Sequence, residues 1–251
     1  MSQLKVENLS RNFGGLLAVN DVSFVVDRGE RLAIIGPNGA GKTTLFNLLS
    51  GEIKPSRGKV FLEERDVTFQ PPAQRAQLGM GRTFQRNNLF PGLTVYQNVQ
   101  LAVQQRMGIT TNLFRPAETY EELHQETCEL LTSLDLDERA EEIVKNLSYG
   151  DQRLLEVTLA LAIQPRLLLL DEPTAGMSPA ETAAMTRMIA QLPQEITVLI
   201  IEHDMDVVFN LADHIIVLHH GEVIANGTPQ EVKGDPRVQD VYLGVDEELR
   251  L

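Results

Sequence analysis

The chain has 251 residues, with 22 Lys plus Arg against 35 Asp plus Glu, a formal net charge of −13, and 43% hydrophobic residues. That balance suits one globular core with a lobe, and the acidic surplus argues against direct binding to nucleic acid or to an anionic membrane. No apolar run reaches the roughly 18 residues that span a bilayer, the first eleven residues lack a signal-peptide stretch, and the single Cys128 rules out an internal disulfide, so the chain reads as cytoplasmic, without direct membrane insertion.

Residues 4–9 alternate like a half-buried strand, and residues 22–26 form a second one closed by the Asp27-Arg28-Gly29 turn. Residues 31–35 are a short apolar run, as in a buried parallel strand. A Gly-rich loop follows, then a helix over 43–49 and a strand over 58–62. From about 95 to 162 the pattern becomes helical, with residues 120–134 amphipathic and residues 106–116 irregular. Strands return at 167–170, 198–201, 215–218 and 222–225, with helices over 180–191 and 205–212 between them. The end, 235–251, reads as a helix with a charged tail. The expected fold is an α/β core of about residues 1–90 and 163–251 with a helical lobe near 91–162, all within a single domain over 1–251.

Gly36-Pro37-Asn38-Gly39-Ala40-Gly41-Lys42-Thr43 fits the phosphate-loop pattern in full, after a predicted strand and before a predicted helix. Its backbone N–H groups form an anion nest, and the helix start adds positive potential. Lys42 is expected to bridge β- and γ-phosphates, Thr43 to hold magnesium, and Thr44 to donate to an α-phosphate. Arg166 to Pro173 buries four leucines and brings Asp171-Glu172 out at the carboxyl end of a strand, where α/β sheets hold ligands. Asp171 suits magnesium and Glu172 suits a general base toward water; the bland alternative for Glu172 is a solvated cap.

His203 ends another buried strand and is placed to sense a γ-phosphate. Gln85, at the junction with the lobe, is placed to touch magnesium or the lytic water. Phe13, beside Gly14-Gly15, either stacks on adenine or packs. His124, His214, His219 and His220 have no such placement and read as surface or packing residues. Leu147-Ser148-Tyr149-Gly150-Asp151-Gln152 precedes a long apolar helix pattern. Ser148 offers a hydroxyl, Gly150 a bare N–H, and the helix its positive end.

Together, in this order, these motifs resemble the ATP-binding subunit of ABC transporters, over nearly the whole chain. The resemblance implies a P-loop ATPase core with a mixed sheet, an N-terminal antiparallel β part and an inserted helical lobe. It implies Phe13 at adenine, Gly36, Asn38, Gly39, Ala40, Gly41, Lys42, Thr43 and Thr44 at the phosphates, and Thr43, Gln85 and Asp171 at magnesium. Glu172, Gln85 and His203 then serve ATP hydrolysis. Ser148 and Gly150 belong to the signature, which acts in trans on the ATP of a partner ATPase, a second copy or a paralogue. The segment 174–179 matches the D-loop, with Ser178 where the family usually has Asp.

The stretch 81–90 with Leu93-Thr94-Val95, the Tyr149 and Asp151 variant of the signature, Ile201-Glu202-His203-Asp204-Met205 and Asn226-Gly227-Thr228-Pro229 are similar to the branched-chain amino acid importers. The alternatives are the ATPase of a lipopolysaccharide-type exporter and a soluble ABC-type assembly ATPase. The importer reading implies permease partners and a peripheral place on the cytoplasmic face of the inner membrane. Leu89, Phe90, Leu93 and Val95 are expected either to dock the permease or to pack the lobe.

Overall fold

The computed structural model describes residues 2–83, 89–109 and 120–248, with side chains described as far as 242. From the N-terminus run β1 (Ser2–Phe13), β2 (Leu16–Asp27), β3 (Arg31–Ile35), α1 (Lys42–Ser50), β4 (Arg57–Leu62), β5 (Arg65–Asp66), α2 (Pro72–Gln77) and β6 (Met80–Arg82). The helices α3 (Val95–Arg106), α4 (Glu121–Ser133) and α5 (Tyr149–Ala162) follow. Alternation returns with β7 (Leu167–Asp171), α6 (Pro179–Ala190), β8 (Thr197–Ile201), α7 (Met205–Leu211), β9 (His214–His219), β10 (Glu222–Gly227), α8 (Pro229–Gly234) and α9 (Pro236–Glu248). Residue contacts divide the chain into two compact units.

The first unit comprises Met1–Met80, Arg166–Glu172 and Ile189–Leu251. It holds an antiparallel sheet of order β2-β1-β4-β5 and a mixed sheet of order β10-β9-β3-β8-β7-β6, whose last strand begins at Met80. β3 pairs in parallel with β8 and β9, β7 pairs in parallel with β8, and β10 turns back antiparallel onto β9. The four leucines of β7 are fully buried, as a parallel strand covered on both faces requires. The register sets Ile34 and Asp171 both opposite Ile201, and Ile35 opposite Val217. The carboxyl ends of β3, β7, β8 and β9 therefore finish at one level, where the site forms.

Behind that edge, α1 buries Leu45, Phe46, Leu48 and Leu49 in a cluster with Leu32, Ile34, Leu167, Leu169 and Leu199. Each such side chain contributes roughly 1.5–3 kcal/mol. The far end of α1 is closed by Gly51 and by Arg75 of α2. Arg75 is only 1% exposed, and its guanidinium donates to the carbonyls of Leu48, Leu49, Thr68 and Gln70.

The second unit comprises Gly81–Pro165 and Pro173–Met188. α3 starts at a capping box between Thr94 and Gln97. α4 presents Leu123, Thr127 and Leu131 on one stripe, and these helices close on Val95, Val99, Val103, Leu136 and Leu155. Leu89 and Val95 sit in that cluster, 8% and 0% exposed; lobe packing claims them, while Phe90 is 56% exposed. The unit also takes in 173–188, a stretch that the sequence pattern assigns to the core. The reason is local bonding: the Tyr149 ring lies against Gly176, and Glu181 bonds both Ser148 and Ser178.

Candidate functional site

The loop after β3 wraps a cavity of about 550 Å³ in the first unit, within the range of small-molecule sites. Asn38, Gly39, Ala40, Gly41, Lys42, Thr43 and Thr44 line it, together with Glu172. The loop needs glycine where chain meets chain. A Cβ on Gly36 would stand 2.2 Å from the Leu218 carbonyl oxygen, and one on Gly41 (φ 103°) would stand 2.3 Å from that of Ala18. The turn between β9 and β10 ties the loop down, with Gly221 N–H donating to the Ala40 carbonyl at 2.9 Å.

Lys42 is 8% exposed, and its ammonium donates to the carbonyls of Gly36 (2.6 Å) and Pro37 (3.1 Å). Burial lowers its pKa, and the charges of Glu172 and Asp171 oppose that shift. Two carboxylates thus act on one ammonium. Asp171 is 6% exposed at the end of β7. Glu172, the next residue, sits in the left-handed region at φ 47° and donates its N–H to the Ile201 carbonyl at 2.9 Å. Such a backbone is strained for a non-glycine residue and collects at functional sites. The Thr43 hydroxyl and the Asp171 carboxylate are hard oxygen donors, a set that suits magnesium.

Not every expected residue joins this cavity. Phe13, 46% exposed at the end of β1, carries the Arg11 guanidinium 4.5 Å over its ring. It lies outside the cavity lining, where Leu16, Leu17 and Ala18 stand instead. His203 is exposed just before α7. Its N–H donates to the buried Glu202 carboxylate at 3.1 Å, and its Nδ1 lies 3.8 Å from the same oxygen. It too is outside the lining. Gln85 lies outside the described residues. His220, which the sequence places among the surface or packing residues, is exposed and also lines the cavity, at φ 47°.

The second unit carries its own polar constellation at the start of α5. Ser148 is the N-cap, accepting from Asp151 N–H at 3.1 Å. Its hydroxyl donates to Asp151 Oδ2 at 2.6 Å, and Asp151 pairs with Arg139. Tyr149 lies under the Arg153 guanidinium, 5.2 Å from its ring, and accepts from Arg153 Nε at 2.9 Å. Arg153 also donates to Glu156 at 2.7 Å. Tyr149 and Asp151 thus build the frame around the helix start. Glu181, absent from the sequence reading, faces the same point.

Comparison with known proteins gives the chemistry a family context. Residues 19–175 match the ABC transporter family, and residues 222–248 match the branched-chain amino acid ATP-binding cassette transporter family. The chain is 42% identical over 255 residues to the high-affinity branched-chain amino acid transport ATP-binding protein LivG of Salmonella typhimurium, covering 97% of this chain and 99% of that one. It is 37% identical to the lipopolysaccharide export system ATP-binding protein LptB of Acidithiobacillus ferridurans, over 96% of both. The crystal structure of the ADP conformation of an ATP-binding cassette of an ABC transporter superposes with a TM-score of 0.85 at 32% identity, covering 97% of this chain and 99% of that one.

Proposed function

The chain belongs to the ABC transporter ATP-binding family, and from that premise we propose that it is the ATP-hydrolysing subunit that energises import of branched-chain amino acids. One observation carries the ATPase half of this reading. Lys42, Thr43 and Glu172 converge on a single cavity, with Asp171 acting by its charge on the same ammonium. Lys42 and the loop amides hold the phosphates, Thr43 and Asp171 hold magnesium, and Glu172 accepts a proton from the attacking water. When bound, magnesium neutralises developing phosphate charge. The match over 222–248 and the name of the relative at 42% identity support the amino acid importer.

No helix among the described residues is long and apolar enough to cross a membrane. The relative's name as a transport ATP-binding protein supports separate permease chains as partners and a peripheral place on the cytoplasmic face. The signature residues Ser148 and Gly150 complete the phosphate site of a partner cassette, either a second copy or a paralogue. Glu172→Gln is expected to keep ATP affinity, to lower hydrolysis by at least about a hundredfold, and to hold an ATP-bound dimer. Turnover near the wild-type rate would remove Glu172 from its role. Purification from membranes in mild detergent tests the substrate: amino acid permeases support import, and lipopolysaccharide-export permeases refute it.

A further inference from the structure

Glu181 divides its carboxylate between two tasks. Oε2 closes a capping box at the start of α6, taking Ser178 N–H at 2.9 Å and the Ser178 hydroxyl at 2.7 Å, while Glu181 N–H returns to Ser178 Oγ at 3.4 Å. Oε1 points the other way, to the start of α5. It lies 3.4 Å from Ser148 Oγ and rests against the backbone of Gly150. The approach is close: a Cβ on Gly150 would stand 2.3 Å from Oε1. These bonds, those of Ser178 foremost and then those of Gly150 and Ser148, hold the carboxyl below the usual range.

A carboxylate oxygen set against a helix start, within 3.4 Å of a serine hydroxyl, stands where a phosphate oxygen docks at such a place. We propose that Glu181 is an internal stand-in for the γ-phosphate: its Oε1 occupies the anion cradle of Ser148 and Gly150 and must withdraw before a partner's ATP can enter. Ser178 Oγ and N–H remain bonded to Oε2 as the pivot of that withdrawal. The capping role alone gives no reason for the second oxygen to reach Gly150. The inference rests on the composite site proposed above, in which Ser148 and Gly150 meet a partner's nucleotide. It makes Glu181 a positioning residue that opposes closure, because its charge and the γ-phosphate compete for the same donors.

The test uses the full chain carrying Glu172→Gln, with ATP-dependent association measured by sedimentation, against itself and against the paralogous cassette. Adding Glu181→Gln keeps an acceptor for Ser178 and removes the competing charge. Each vacated cradle is expected to tighten association about two- to fivefold, the scale of an exposed charge interaction. Glu181→Asp, which keeps the charge and the cap but withdraws the oxygen from Gly150, should tighten it too. Unchanged or weaker association in both variants overturns the inference, since a merely structural Glu181 would weaken the dimer when altered. If the Glu172→Gln chain associates with neither partner on ATP, the composite-site reading falls and this inference with it.

Discussion

Arg75→Met removes a guanidinium and keeps the aliphatic stem. Four carbonyls lose a donor: Leu48 and Leu49 at the end of α1, and Thr68 and Gln70 beside α2. Hydrogen bonds to a charged group are worth about 1.5–3 kcal/mol each. The substitution also relieves a cost: burial brings the Arg75 pKa down to about 10, equivalent to roughly 3 kcal/mol. Leu48 keeps the Gly51 N–H at 3.3 Å as a second donor, and the exposed neighbourhood of Gln70 relaxes toward water. Setting the lost bonds against the relieved desolvation leaves a net loss of about 3 kcal/mol, at the low end of the cost of breaking a buried charged contact. For a chain of this size that is a fall of about 6–12 °C in Tm. Calorimetry measures it, and hydrogen exchange at the amides of α1 locates it. Arg75→Lys, reaching fewer carbonyls, should fall between. A loss below about 1 kcal/mol, or exchange in α1 unchanged, would refute the claim that Arg75 closes the helix carrying the phosphate loop.

The Lys42 ammonium predicts a pH dependence of nucleotide binding. Burial lowers its pKa in the free protein, and bound phosphate raises it, so binding takes up a proton between those two values. ATP affinity should fall as pH rises through the free-state pKa, beginning below the ordinary lysine range. Glu172→Gln removes the larger charge that props the pKa up, so the fall should start at lower pH, as a fluorescent nucleotide titration can read; a shift upward would contradict the sign. Gly41→Ala forces a Cβ to within 2.3 Å of the Ala18 carbonyl at φ 103°. It should abolish detectable ATP binding while far-UV dichroism stays near wild type, and retained affinity would show that the loop yields at that point.

The phosphate loop and the Asp171-Glu172 pair were legible because each depends on its neighbours along the chain. A buried strand such as Leu167–Asp171 announces itself by four consecutive leucines, and its carboxyl end is where the next polar residues emerge. The roles of Tyr149, Asp151 and Glu181 were not legible. The bonds of Glu181 join residues 33 positions apart, from Ser148 to Glu181, and no periodicity records a contact of that kind. The same holds for His220, whose place at the cavity depends on the pairing of β3 with β9. Leu89 and Val95 show the converse: apolar residues at helical spacing fitted a docking patch or a core equally well, and burial decided for the core.

The strained backbone of Glu172 joins fold to chemistry. Its N–H is fixed on the Ile201 carbonyl at 2.9 Å, and Asp171 pairs in register with that same Ile201. One residue of β8 therefore sets both the level at which Asp171 ends its strand and the turn that aims Glu172. A left-handed φ at a residue with a Cβ costs about 1–3 kcal/mol and persists only where its surroundings fix it. Here the fixing group is a ladder of buried parallel strands. The aim of Glu172, the general base we propose, is thus a property of the β7–β8 register, and on that proposal a change that slips the register would disarm hydrolysis without touching either carboxylate.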